Sequence, residues 1–306
     1  MEQILIMGSG AVGGYYGAYL ADSDGPEVAF IARGAQYDAM KKTGLRITGK
    51  EERTVDPLSV YKDPALMEMV PDLVILAVKS HHTEEAIEQL KPVISKDTCF
   101  LSLQNGMENY EILSKAFGSR NVIRGFCKIG TEVTSPGVIE YRGQGALYFG
   151  EENGVLSNRI LQLQKICENA GLKAIIPEDI RKEAWKKFIW NCVFNMMTGI
   201  SGVTTDYIFK EEEAYTIAWQ IFYEIQAIAG AGGVRISDEE GEDIIDASES
   251  LGAFLTSTAQ DRRKGKRLEY DTFCGYVVRK ADHYELEASI NRSLYAQYRM
   301  IDMSGC

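Results

Sequence analysis

Apolar residues in the first half of the chain fall in short, dense runs: QILIM at 3–7, EVAFIA at 27–32, DLVILAV at 72–78, TCFLSL at 98–103 and NVIRGFC at 121–127. Runs this short, bounded by turn residues, predict strands buried on both faces. Helical patterns lie between them, at about 11–21, 34–43, 80–90 and 107–117. The alternation predicts an α/β domain with a mostly parallel, doubly wound sheet. Residues 44–60 predict a hairpin turning at Gly49–Lys50, and residues 131–151 predict three more strands with turns at Pro136–Gly137 and Gly143–Gly145. A helix near 155–170 and a strand at 172–176 close this domain, which the pattern places over 1–177. From 178 to 306 the periodicity is helical, with helices over about 179–201, 209–233, 237–264 and 269–282 and another near 287–301. This second domain is all-α, and a cleft between two closely packed domains is expected.

One predicted helix breaks the usual amphipathic rule. Residues 183–198, EAWKKFIWNCVFNMMT, are apolar nearly all round, which suits an interior. Yet Glu183, Lys187, Asn191 and Asn195 recur every four residues and line one stripe. Buried polar groups without partners cost a few kcal/mol. The stripe therefore needs either another polar helix or a ligand opposite it.

Composition narrows the classes of partner. A formal net charge of −11 argues against nucleic acid and against a membrane surface. No apolar run reaches the roughly 18 residues of a membrane span. The chain opens MEQILIM, without a basic n-region or cleavage site, so the cytoplasm is expected. Six cysteines, Cys99, Cys127, Cys167, Cys192, Cys274 and Cys306, show no CxxC or metal spacing and are expected as reduced thiols. With only three histidines, His81, His82 and His283, a histidine metal site is disfavoured, and lysine becomes the more plausible proton donor. His81 and His82 are expected at an exposed helix start.

Gly8-Ser9-Gly10-Ala11-Val12-Gly13 is a GxGxxG that follows the first strand and opens a helix of small residues. In that context it predicts a Rossmann-type dinucleotide site. Gly8 permits the tight turn, Gly10 lets backbone approach a pyrophosphate at the helix N-terminus, and Gly13 allows close helix–strand packing. Where an NAD site places an acid after the second strand, this chain has Arg33, and no acid neighbours it. A guanidinium there suits a 2′-phosphate, so NADP (NADPH) is the expected cofactor. Lys79 and Asn105 follow the strands at 72–78 and 98–103, at the carboxyl ends where ligands of open α/β sheets bind; a snorkelling lysine and a plain turn would look the same.

These residues together resemble the ketopantoate reductase family (2-dehydropantoate 2-reductases) over nearly the whole chain. The likeness is carried by GSGAVGGYYG at 8–17, Arg33, AVKS at 77–80, QNGMENYE at 104–111, EAWKKFIWNCVFNMMTGI at 183–200 and STAQDRRKGKRLEYDTFCGYVVRKA at 257–281. The resemblance implies a Rossmann-type NADP-binding domain, a helical catalytic domain and NADPH-dependent reduction of 2-dehydropantoate to (R)-pantoate, on the route to pantothenate and coenzyme A. It implies Lys187 as the catalytic lysine and Glu269 as an active-site carboxylate. Asn105, Asn191, Asn195 and Ser257 fall on substrate- and nicotinamide-contacting positions, and Arg33 and Lys79 on 2′-phosphate contacts. Where the family often carries a further Asn, this chain reads Ser201-Gly202-Val203-Thr204-Thr205, and a familiar Gly and Pro are replaced by Tyr284 and Ala288.

Chemistry supports the same roles. Hydride transfer to a ketone puts charge on its oxygen, and a lysine in a partly desolvated cleft is a suitable acid. Glu183 is expected to support Lys187, and the basic run at 262–267 to be a solvated loop. The partner is a small 2-keto acid, taken up by a monomer or homodimer. Two alternatives stay open: reduction of another branched 2-keto acid, and a dinucleotide sensor without turnover.

Overall fold

The computed structural model describes residues 1–304. The chain divides into two compact units: residues 1–105 with 109–180, and residues 106–108 with those from 181 onward.

The first unit is built on a ten-stranded sheet. Its strands are β1 (Gln3–Met7), β2 (Glu27–Ile31), β3 (Leu45–Gly49), β4 (Arg53–Val55), β5 (Ser59–Tyr61), β6 (Leu73–Leu76), β7 (Cys99–Ser102), β8 (Val122–Ser135), β9 (Val138–Gly150) and β10 (Lys173–Ile175). The order is β4-β3-β9-β8-β7-β6-β1-β2-β5, with β10 beside β9; only β3–β4 and β8–β9 are antiparallel. Helices α1 (Ala11–Ala21), α2 (Gly34–Thr43), α3 (Thr83–Leu90), α4 (Glu108–Phe117) and α5 (Asn158–Asn169) accompany it.

Side-chain alternation explains why the central strands read as unbroken apolar runs. Ile4, Ile6, Val28, Phe30, Leu73 and Ile75 enter one core, while Leu5, Met7, Ala29, Ile31, Val74 and Leu76 enter another on the opposite face. Helix α1 needs its small residues to lie this close to the sheet. A Cβ at Gly17 would lie 2.4 Å from the Phe30 ring, and one at Gly14 would lie 2.4 Å from Ile139 Cδ1.

Three expectations are corrected here. Residues 131–151 do not form three strands: β8 and β9 are two long strands joined at Pro136–Gly137. The glycines at 143 and 145, with Gln144 also at positive φ, distort the β8–β9 pairing without ending it. Strand β9 continues because it has parallel partners on its other side, β3 before the irregularity and β10 after it. The predicted hairpin at 44–60 ends with β4, and β5 instead joins the sheet edge parallel to β2.

The second unit is helical: α6 (Ile180–Trp190), α7 (Met196–Ser201), α8 (Asp206–Lys210), α9 (Glu212–Ala231), α10 (Asp238–Ile245), α11 (Ser257–Arg263), α12 (Tyr276–Tyr284) and α13 (Ser289–Ser304). The third correction is the helix expected over 237–264. It stops after a 3₁₀ segment, Asp246–Leu251, because Gly252 takes φ +60° and turns the chain. Buried Thr205 pins that turn: its hydroxyl donates to Gly252 O and its N–H to Phe254 O. Cys99, Cys127, Cys167, Cys192 and Cys274 form no disulfide, and Cys306 lies outside the described residues. Burial pushes the Cys167 and Cys274 thiols up to about 12, leaving them inert. Among the described residues, no helix is long and apolar enough to cross a membrane.

Candidate functional site

The glycine-rich turn between β1 and α1 has three distinct jobs. Gly8 takes φ +105°, and a Cβ there would fall 2.7 Å from Val78. A Cβ at Gly13 would lie 2.1 Å from the Gly8 carbonyl oxygen. Gly10 differs: a Cβ there would meet nothing within 4 Å. Its backbone therefore borders open space at the start of α1, where no side chain caps the helix and the first turn carries no acid. The leading N–H groups of a helix, including those of Ala11, Val12 and Gly13 here, have no intrahelical acceptor, and the dipole favours an anion beside them. The residues present thus fit a pyrophosphate.

Ser9 supports this loop from behind. It is buried, and both its hydroxyl and its N–H donate to Ile31 O, at 2.9 and 3.1 Å. Gln36, which the motif does not signal, links the same loop to the β8–β9 turn. Its amide donates to Ser9 O at 3.0 Å and accepts from Gly137 N at 3.0 Å.

Arg33 stands at the end of β2 and opens α2, exposed to solvent. Lys79, also exposed, follows β6 and precedes the 3₁₀ turn Ser80–His82. Arg33 has no acid beside it in sequence, but the fold supplies one: Arg33 Nη2 lies 2.8 Å from Glu85 Oε1. The hydrogen bond from Arg33, aided by His82, holds the Glu85 carboxyl below the usual range. Asn105 follows β7 and is partly buried, its carbonyl accepting from the Asn109 side chain at 2.7 Å. A buried relay just before it ties the end of β7 to the start of α3. Gln104 donates to Thr83 Oγ1 at 2.7 Å and accepts from Ser102 Oγ at 3.0 Å.

In the second unit, α6 and α7 are joined by a π-helical turn, Asn191–Asn195, a distortion frequent at functional sites. Asn191 and Asn195 are 3% and 1% exposed. The Asn195 amide donates to Asn191 Oδ1 at 3.3 Å, and Asn195 Oδ1 is buried without a hydrogen-bond partner. Partly buried Lys187 holds its ammonium 4.6 Å from the centre of the Trp190 ring. Trp190 is itself anchored by donating to Ser248 Oγ at 3.0 Å. Glu183, expected beside Lys187, instead meets Lys186 at 3.2 Å, and Lys186 and Lys182 both reach Glu240.

Two features missed in the sequence hold this region. Buried Tyr298 donates to Met196 O at 2.7 Å and lies 3.3 Å from Asn195 O, serving carbonyls at the end of the wide turn. Thr198 gives its proton to Phe194 O, so Thr256 must donate to Thr198 across the 2.7 Å between their hydroxyls. Thr256 is the N-cap of α11, so this chain fixes Ser257, the exposed first residue of that helix, against α7. Glu269 is partly buried in the segment after α11, with its carbonyl accepting from Thr272 N at 3.1 Å. The 262–267 run is not wholly a solvated loop: Arg262 donates to Gly199 O and Arg263 to Gly202 O, capping the C-terminus of α7.

Comparison with known proteins shows the family of the chain. The family described as Ketopantoate reductase PanE/ApbA matches residues 4–154, and its C-terminal counterpart matches residues 179–302. The chain belongs to the ketopantoate reductase family. It is an oxidoreductase with a dinucleotide-binding fold. It is 31% identical over 294 residues to the 2-dehydropantoate 2-reductase of Pyrococcus horikoshii, covering 96% of this chain and 95% of that one. The enzyme of the same name from Archaeoglobus fulgidus is 29% identical, over 99% of this chain and 98% of its own length. A crystal structure of a PanE/ApbA family ketopantoate reductase from Ralstonia eutropha JMP134 superposes with a TM-score of 0.90 at 32% identity, covering 99% of each chain.

Proposed function

We propose that this family member reduces 2-dehydropantoate to (R)-pantoate with NADPH, in the pathway to pantothenate and coenzyme A, with residues 1–177 binding cofactor and 178–306 carrying the catalytic groups. The observation that carries this reading is the polar stripe on α6–α7: the partly buried ammonium of Lys187 followed by the buried amides of Asn191 and Asn195, the last with a carbonyl oxygen that has no hydrogen-bond partner. The backbone of Gly8–Gly13 receives the pyrophosphate, Arg33 and Lys79 the 2′-phosphate, and Asn105 the nicotinamide and substrate. When bound, NADPH supplies the hydride that adds to the ketone carbon.

Lys187 donates a proton to the ketone oxygen as its negative charge develops, and is reprotonated from solvent after turnover. Its position against Trp190 removes it partly from water while leaving the charge stabilised by the ring. Asn195 Oδ1, without a donor in the protein, accepts from a substrate hydroxyl, and Asn191 presents a neutral amide one turn earlier. Ser257 donates to the substrate carboxylate. Glu269 holds a substrate hydroxyl or orients Lys187.

A second reading, another branched 2-keto acid, is favoured by one observation. At the stretch where the family often has a further Asn, Thr205 is buried and its hydroxyl is committed to Gly252 O, so it has none to give a substrate. Steady-state NADPH oxidation with 2-dehydropantoate, against a panel of branched 2-keto acids, decides between them. Lys187→Ala is expected to lower kcat by roughly 10²- to 10⁴-fold with NADPH still bound. Near wild-type turnover would remove Lys187 from the mechanism.

A further inference from the structure

The guanidinium assigned above to the 2′-phosphate is already held by an acid. Arg33 Nη2 meets Glu85 Oε1 at 2.8 Å and donates to Gln89 Oε1 at 3.1 Å, so one nitrogen makes both contacts. The second carboxylate oxygen of Glu85 lies 3.2 Å from His82 Nδ1. Glu85 and Gln89 stand one turn apart on α3, the helix that begins just after Lys79 and the 3₁₀ turn. That helix is fixed by Thr83, Ala86, Ile87 and Leu90, which are buried; Glu85 is on its outer side. The Arg33 and Glu85 side chains are 51% and 46% exposed, so the pair is not something the core requires.

We propose that Glu85 sets cofactor specificity at the dinucleotide site by competing with the adenosine 2′-phosphate for Arg33. A 2′-phosphate must draw Nη2 away from the carboxylate, and two anions sharing one guanidinium repel each other. A 2′-hydroxyl meets no such opposition, because a carboxylate accepts a hydrogen bond from it. One exposed acid therefore acts against the phosphorylated cofactor and tolerates the unphosphorylated one. It holds the preference for NADPH over NADH below what Arg33 and Lys79 alone would produce. The inference rests on the reading of Gly8–Gly13 and Arg33 as the dinucleotide site.

Calorimetric titration with adenosine 2′,5′-bisphosphate and with adenosine 5′-monophosphate tests it, since the two differ only in the 2′-phosphate. The proteins are the full-length wild type, Glu85→Gln, Glu85→Ala and Arg33→Ala. Removing the Glu85 charge is expected to tighten the bisphosphate roughly three- to tenfold and to leave the monophosphate unchanged or weaker. The ratio of NADH to NADPH dissociation constants rises accordingly. Arg33→Ala loses the preference for the bisphosphate. Unchanged bisphosphate affinity in both Glu85 variants overturns the proposal while the dinucleotide site stands. Weaker bisphosphate binding also overturns it, since Glu85 then only positions Arg33. If the wild type binds neither nucleotide, the dinucleotide reading fails and this inference falls with it. Thermal unfolding of each variant establishes that it is folded.

Discussion

Replacing Gly10 by alanine separates a glycine kept for a ligand from a glycine kept for the fold. Gly10 has φ −76°, an ordinary value, and an added Cβ would meet nothing within 4 Å. Alanine is a poorer helix cap than glycine by some tenths of a kcal/mol to about 1. It also reduces the freedom of the unfolded chain, which returns about 0.4–1 kcal/mol. The two nearly cancel, so stability should stay within about 0.5 kcal/mol of wild type in urea unfolding. Cofactor binding behaves differently. The methyl group would occupy the space where backbone N–H groups approach a pyrophosphate, and each charge-assisted hydrogen bond lost costs about 1.5–3 kcal/mol. The NADPH dissociation constant should rise by roughly tenfold to a hundredfold or more, read by nicotinamide fluorescence. Gly13→Ala is the contrast: its Cβ would lie 2.1 Å from the Gly8 carbonyl oxygen, so overpacking of about 1–3 kcal/mol or more appears in the unfolding curve itself. Wild-type NADPH affinity in Gly10→Ala would refute the argument that this open edge receives the pyrophosphate.

Three further outcomes are expected. Asn195→Leu removes an unpartnered buried carbonyl at the cost of the bond to Asn191 Oδ1, so stability should change by less than about 1 kcal/mol while substrate KM rises steeply; a large loss of stability would mean the amide serves the fold. Tyr298→Phe leaves the Met196 carbonyl without its 2.7 Å partner and should cost about 1–2 kcal/mol in denaturant unfolding, an unchanged midpoint being the contrary result. Burial pulls the Glu151 carboxyl up, but Arg159 (Nε to Oε1, 2.6 Å) and Ser157 more than offset it, so the folded-state value is lowered. That contribution to stability is present above the unfolded value of about 4.3 and is lost as pH falls through the lower folded value. Arg159→Met should flatten acid unfolding in that window, and parallel pH profiles for the two proteins would contradict it.

Much of the first unit was legible because period-2 alternation in β1, β2 and β6 builds two cores at once, which only a sheet covered on both faces can do. The division of β9 went wrong because Gly143 and Gly145 look like a turn locally, and the neighbours that keep the strand going, β3 and β10, are far away in sequence. The helix at 237–264 was overextended for the converse reason: a periodic pattern runs through Gly252, and Thr205 fixes the break from another element. At the candidate site, four-residue spacing made the polar stripe visible, and the fingerprint glycines carried their own geometric reasons. Glu85 beside Arg33, Gln36 behind Ser9 and Tyr298 beneath the π turn had no local signal. Each is a pairing made by tertiary structure between segments that share no motif.

The wide turn at Asn191–Asn195 also works as a phase correction. In a straight α-helix, every four-residue step overshoots a full revolution by about 40°, so a stripe repeated every four residues spirals off its face. From Glu183 to Asn195 that drift would reach about 120°. A π turn holds more residues per revolution, so its four-residue step undershoots instead and winds part of the drift back. The polar spacing and the helical defect are therefore two halves of one arrangement. Deleting one of the three residues between the two asparagines, Cys192, Val193 or Phe194, would restore a regular helix, keep every side chain of the stripe, and point its last amide somewhere else.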